Sequence, residues 1–139
     1  DVIDCVQHTA RSLIFSASIP PANAAAALAS LEVMQEEPER IERLNEIAAY
    51  MHEQYRARGF DIGKSETPVI PIIIRDDDKT LHAWKMLFES GVYTNPVIPP
   101  AVPPNLSLLR TSYMATHTNE QLEEVLEIMA KVGKALDIT

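Results

Sequence analysis

The segment NPVIPPAVPPNLSLLRTS, residues 95–112, places five of the chain's ten prolines just ahead of a strand-like apolar run that carries one arginine, Arg110. A guanidinium is a planar fork of donors suited to holding a carboxylate through two parallel hydrogen bonds. Two readings of Arg110 follow from the pattern. In one it forms a structural salt bridge with one of the twenty acidic residues, because a buried cation without a partner costs about 3–5 kcal/mol. In the other the fork is held out for the carboxylate of a ligand. Each proline fixes φ and removes an N–H donor, so the proline-rich loop makes a semi-rigid flap with little entropy to lose on ordering.

Other chemistry is sparse. Only four glycines occur and none cluster, so no glycine-rich phosphate loop and no nucleophile elbow is present. His8, His52, His82 and His117 are scattered and Cys5 is the sole cysteine, which argues against a metal site and a disulfide framework. One cysteine fits a reducing compartment, so a cytoplasmic location is expected. The net charge of −8 offers nothing to a nucleic-acid backbone. The apolar runs AAAALA and VIPIII fall far short of the roughly 20 residues that span a bilayer. The chain opens DVIDCVQH, without methionine or a signal-peptide pattern, and is expected to begin at a fragment or domain boundary.

The elements that must position Arg110 are legible in outline. VIDCVQHTA is an amphipathic piece, and RSLIFSASIPP reads as the end of a helix followed by an extended connection. An alanine-rich helix from Pro21 to about Gln35 has proline in its first turn, and its small side chains predict close packing against a neighbour. Ile41, Leu44, Ile47, Ala48, Met51 and Tyr55 fall at helical spacing, with Gly59 placed for a left-handed cap. PVIPIIIR predicts a strand at an edge or bulge because of Pro71. Asp76 to Asp78 cap a helix bearing Leu81, Trp84, Leu87 and Phe88, which Gly91 ends. VYTNPV and LSLLRTSYMA give two more strands, the latter with Leu108, Arg110 and Ser112 on one face and Leu109, Thr111 and Tyr113 on the other. Thr118 and Gln121 form a capping box for the last helix, with Leu122, Val125, Leu126, Met129 and Val132 as its stripe. His117, Thr118, Trp84 and the methionines read as structural. The expected fold is α+β: a small, mostly antiparallel sheet of three or four strands covered by amphipathic helices. Residues 1–20 read as a helix end and connecting segment, and 21–139 as one small domain.

Three segments in order, RSLIFSASIPP, TPVIPIIIRDDDKTLHAWKMLFESGVYTNPV and PPAVPPNLSLLRTSYMATHT, resemble the C-terminal part of the α-oxoamine synthases. These are pyridoxal-phosphate enzymes of fold type I that join an amino acid to an acyl-CoA with loss of CO2. The resemblance covers essentially the whole chain. It implies that Arg110 binds the amino-acid carboxylate, that Pro99, Pro100 and Pro103 belong to a mobile loop that shifts with substrate, and that Ser16 and Ser18 reach toward the cofactor phosphate of a neighbouring subunit in a homodimer. The family's cofactor-attaching lysine and the aspartate on the pyridine nitrogen lie upstream of the matched part. Lys64, Lys79, Lys85, Lys131 and Lys134 sit in no such context, so no catalytic residue is expected in this chain and alone it should be inactive. Some members carry an arginine where this chain has Ile98. The proline–arginine run leans toward serine palmitoyltransferase of sphingolipid biosynthesis, with the biotin-pathway 8-amino-7-oxononanoate synthase and glycine C-acetyltransferase as alternatives within the family. A stand-alone binding or scaffold domain without chemistry is the alternative of another class.

Overall fold

A computed structural model of the chain describes residues 1–14, 16–17 and 19–139. The chain divides into two compact units, Asp1–Pro38 and Glu39–Thr139. The first holds α1 (Val2–Thr9), α2 (Arg11–Ile14) and α3 (Pro21–Glu36). Asp1 caps α1 by accepting from the Ile3 amide at 3.2 Å. α2 stands where the sequence suggested only a helix end, since one turn is too short to show periodicity. α3 buries none of its residues, and Leu28, Leu31, Val33 and Met34 are exposed, so the close packing expected of its alanines is not seen. By its contacts α3 groups with the residues before it.

The second unit comprises α4 (Glu39–Ala57), β1 (Val69–Ile73), α5 (Asp77–Glu89), β2 (Asn95–Val97), β3 (Leu108–Ser112) and α6 (Asn119–Ala135). α4 turns Ile47, Ala48, Met51 and Tyr55 inward, as its spacing predicts. It closes at Gly59, whose φ of +85° lets the Phe60 amide reach back to the Tyr55 carbonyl at 3.1 Å. α5 is capped by Asp76, which accepts from the Lys79 amide at 2.8 Å. Thr118 and Gln121 form the reciprocal capping box of α6. Tyr50 donates to Glu123 and Arg43 to Asn119, tying α4 to α6.

The sheet is antiparallel in the order β1-β3-β2, so the prolines Pro71 and Pro96 both lie in edge strands, where a missing ladder donor is tolerated. β2 is shorter than VYTNPV suggested, pairing with β3 only from Asn95↔Arg110 to Val97↔Leu108. One face of the sheet sends Ile70, Ile72, Leu109 and Thr111 into a core shared with α4, α5 and α6. On the other, Val69, Arg110 and Ser112 are exposed and Pro71, Ile73 and Leu108 half-buried.

The core closes tightly at Gly133 of α6. A Cβ there would meet the Phe60 ring at 2.8 Å and the Thr139 methyl at 2.9 Å. Gly133→Ala is therefore expected to destabilise the unit by about 1–3 kcal/mol despite alanine's better helix propensity, because overpacking outweighs it. A urea-unfolding midpoint equal to or above that of the parent would contradict this packing.

Candidate substrate-binding site

Arg110 occupies the middle of the central strand, opposite Pro71 of β1 and Asn95 of β2. It is exposed, and it makes no hydrogen bond or ion pair among the described residues. The demand for a buried carboxylate partner is thus corrected. Strand alternation sends Leu109 and Thr111 into the core and turns Arg110 to the uncovered face, where the guanidinium stays hydrated. Arg75 behaves differently: it pairs with Asp61, whose carboxyl is held below the usual range first by the Gly63 amide and then by Arg75.

Val97 and Leu108 are cross-strand partners, so residues 98–107 form the loop of a β2–β3 hairpin with Arg110 just beyond its base. Pro99, Pro100, Pro103 and Pro104 have no amide to donate. The loop's own backbone bonds are Ala101 to Ile98 at 3.0 Å and Leu106 to Pro103 at 3.2 Å, two local turns. Pro99 is half-buried, Pro100 and Pro103 are exposed, and the Pro99–Pro100 peptide is cis. Ile98 is half-buried at the mouth of the loop. The structure so brings together Arg110 and the proline hairpin, an exposed cation beside a loop with few ties.

Ser16 belongs to the first unit, where it is exposed and its amide donates to the Leu13 carbonyl at 3.3 Å. Ser18 lies outside the described residues. Lys64, Lys85, Lys131 and Lys134 are exposed, and Lys79 directs its ammonium to the Asp137 carbonyl at 3.5 Å. None stands in the desolvated setting that activates a lysine amine for carbonyl chemistry, so the residues of this chain do not fit the attachment of a pyridoxal cofactor. Among the described residues no group of three or more His, Cys, Asp or Glu side chains is placed to hold a metal ion, and no helix is long and apolar enough to cross a membrane.

A concavity of about 510 Å3 does not include Arg110 or the prolines. Thr94, Tyr113, His117, Gln121 and Val125 line it. His117 accepts from the Met114 amide through Nδ1 at 3.2 Å and stands edge-on to Tyr113, a structural role. Behind it the Tyr55 and Tyr113 hydroxyls share a buried 2.6 Å hydrogen bond, and burial drives the Tyr55 phenol well above its ordinary range.

Sequence reasoning passed over two polar residues that the fold uses. Ser107 is fully buried at the base of the hairpin and donates to Asp77. Extending the alternation of Leu109, Thr111 and Tyr113 back by two marks it as inward-facing. His52 of α4 is only 8% exposed, with Nε2 unpartnered among the described residues. Its pKa is lowered first by burial and then by Arg56, against smaller raising effects of Thr67 and Glu66. The folded state thus favours the neutral ring. Stability should be complete above the ordinary imidazole value of 6.5 and should fall as pH drops through 6.5 toward the lowered pKa, where the unfolded chain takes up the proton first. Urea midpoints measured from pH 8 to 5 should show this decline, and His52→Gln should flatten it. An unchanged slope in the variant would assign the decline to other groups.

Residues 1–129 match the family model described as aminotransferase class I and II. The chain is 46% identical over 137 residues to a serine palmitoyltransferase of Bacteroides ovatus, covering 99% of this chain and 35% of that protein. It is 42% identical over 137 residues to an 8-amino-7-oxononanoate synthase of Symbiobacterium thermophilum, with the same coverage. A solved serine palmitoyltransferase carrying a PLP internal aldimine superposes with a TM-score of 0.82 at 31% identity, over 99% of this chain and 35% of that one. The chain spans about a third of the length of these relatives. With a family model that runs through all but its last ten residues, the chain belongs to the class I and II aminotransferases.

Proposed function

We propose that the chain is the C-terminal part of a pyridoxal-phosphate-dependent enzyme that condenses an amino acid with an acyl-CoA thioester, and that its contribution is to hold the amino-acid carboxylate. The observation that carries this reading is Arg110: an exposed guanidinium without a protein partner among the described residues, in the centre of the sheet and at the base of a proline hairpin poor in donors. Two charge-assisted hydrogen bonds to a carboxylate fix the orientation of the adjoining carbon, a use of binding energy to set reaction geometry. Pro99, Pro100 and Pro103 would close over the bound amino acid.

The cofactor supplies the electron sink for such a condensation and would be held by the rest of the polypeptide. Ser16 and Ser18 are assigned to its phosphate, across a homodimer, on resemblance alone. The 139 residues by themselves would be inactive, residues 21–139 would be the small domain, and the enzyme would be cytoplasmic. The higher identity to the Bacteroides protein favours serine and a long acyl chain; the 42% match to the Symbiobacterium protein keeps alanine with a pimeloyl thioester as the second reading. Turnover of the full-length protein with palmitoyl-, pimeloyl- and acetyl-CoA, each against serine, alanine and glycine, separates them. Preference for serine with palmitoyl-CoA supports the first reading; the pair alanine and pimeloyl-CoA supports the second, and glycine with acetyl-CoA would replace both by a glycine C-acetyltransferase. Absence of turnover with all nine pairs would leave a binding domain without chemistry.

A further inference from the structure

We propose that Ser107 is a positioning residue for Arg110, setting through Asp77 where the base of the proline hairpin stands; this rests on the reading of Arg110 as the carboxylate clamp. Ser107 is polar yet fully buried, and three hydrogen bonds converge on it. Its carbonyl accepts from the amides of Ile74 and Arg75, both at 2.9 Å, and its hydroxyl donates to a carboxylate oxygen of Asp77. Ile74 and Arg75 leave the end of β1, and Asp77 is the first residue of α5. One residue therefore pins β3 to two elements at once, at the point where the hairpin loop becomes strand.

The rest of the loop has no comparable fixture. The described backbone bonds of residues 98–106 stay within the loop, and its four prolines cannot add donors. Ser107 is thus the first fixed point after the loop, where β3 enters its ladder with β1 and β2, and Arg110 lies three residues on, at about 3.3 Å per residue roughly 10 Å away along a stiff strand. Odd positions of β3 face the core and even ones the open face, so a change in how Ser107 seats the strand is transmitted to the direction of the guanidinium. Asp77 is exposed and can be rehydrated if the hydroxyl is lost, so removal of Ser107 Oγ leaves no stranded charge.

The test uses the full-length enzyme with its cofactor, following the absorbance of bound pyridoxal phosphate as L-serine, or ethanolamine as the analogue without a carboxylate, is titrated in. Ser107→Ala is expected to raise Kd for serine about 3- to 10-fold, the range of one modest hydrogen bond, and to leave ethanolamine binding unchanged. Asp77→Ala should reproduce this, and carries the test alone if Ser107→Ala does not fold. Asp77→Asn, which keeps an acceptor, should fall between. Combined with Arg110→Ala, Ser107→Ala should add nothing to the loss of serine affinity. Wild-type serine affinity in Ser107→Ala and Asp77→Ala, with Arg110→Ala weakened, would overturn the positioning role and leave the clamp standing. Equal weakening for serine and ethanolamine would also overturn it, as a general structural effect. Wild-type affinity in Arg110→Ala would overturn the clamp, and this inference with it.

Discussion

Arg110→Ala in the full-length protein is expected to weaken amino-acid binding about 10- to 100-fold, the equivalent of losing about 1.5–3 kcal/mol of hydrogen bonding to a charged partner. Cofactor binding should be unaffected, since nothing in the second unit ties Arg110 to another side chain. Folding stability should change by no more than about 0.5 kcal/mol, as for other surface positions without partners. That combination is diagnostic. A structural salt bridge would show the reverse, a loss of stability with amino-acid affinity preserved. Arg110→Lys should recover part of the affinity, because an ammonium keeps the charge and loses the two-pronged geometry.

The neighbouring residue is expected to behave in the opposite way. Leu109 is 1% exposed, pairs across from Ile72 and lies in the core between the sheet and the helices. Leu109→Ala should cost about 2–5 kcal/mol of stability, the transfer of the lost methyl groups plus the cavity left behind. Urea unfolding of the two variants side by side reads the alternation of β3 directly. Similar losses for both would mean that the face bearing Arg110 is covered as well.

Much of this fold is written locally. α4, α5 and α6 follow from helical spacing together with caps whose partners lie within three to five residues: Gly59, Asp76, and Thr118 with Gln121. Pro71 pointed to an edge strand for the same reason, since a missing donor is a local fact. What the sequence hid depends on distant partners. Ser107 meets an aspartate 30 positions away, and Tyr55 meets Tyr113 across 58. Neither pairing leaves a mark in spacing.

Arg110 shows the limit most plainly. Its apolar flanks, Leu108 and Leu109, suggested burial and therefore a carboxylate within the chain. In the folded unit helices cover one face of the sheet, and parity puts Arg110 on the other. The alternation was readable; which face is covered is a property of the assembled layers. α3 makes the same point in reverse, because an alanine-rich surface implies a close neighbour only where one packs on it.

The central claim, that Arg110 recognises a carboxylate, is tested most directly by discrimination rather than by affinity alone. In the full-length protein the ratio of Kd for ethanolamine to Kd for L-serine isolates the carboxylate, since the two ligands share the amine and the hydroxyl. The wild-type ratio should be about 10 to 100, in line with one charge-assisted pair, and should collapse toward 1 in Arg110→Ala. A ratio that stays at its wild-type value in the variant would contradict the account and place carboxylate recognition elsewhere in the protein.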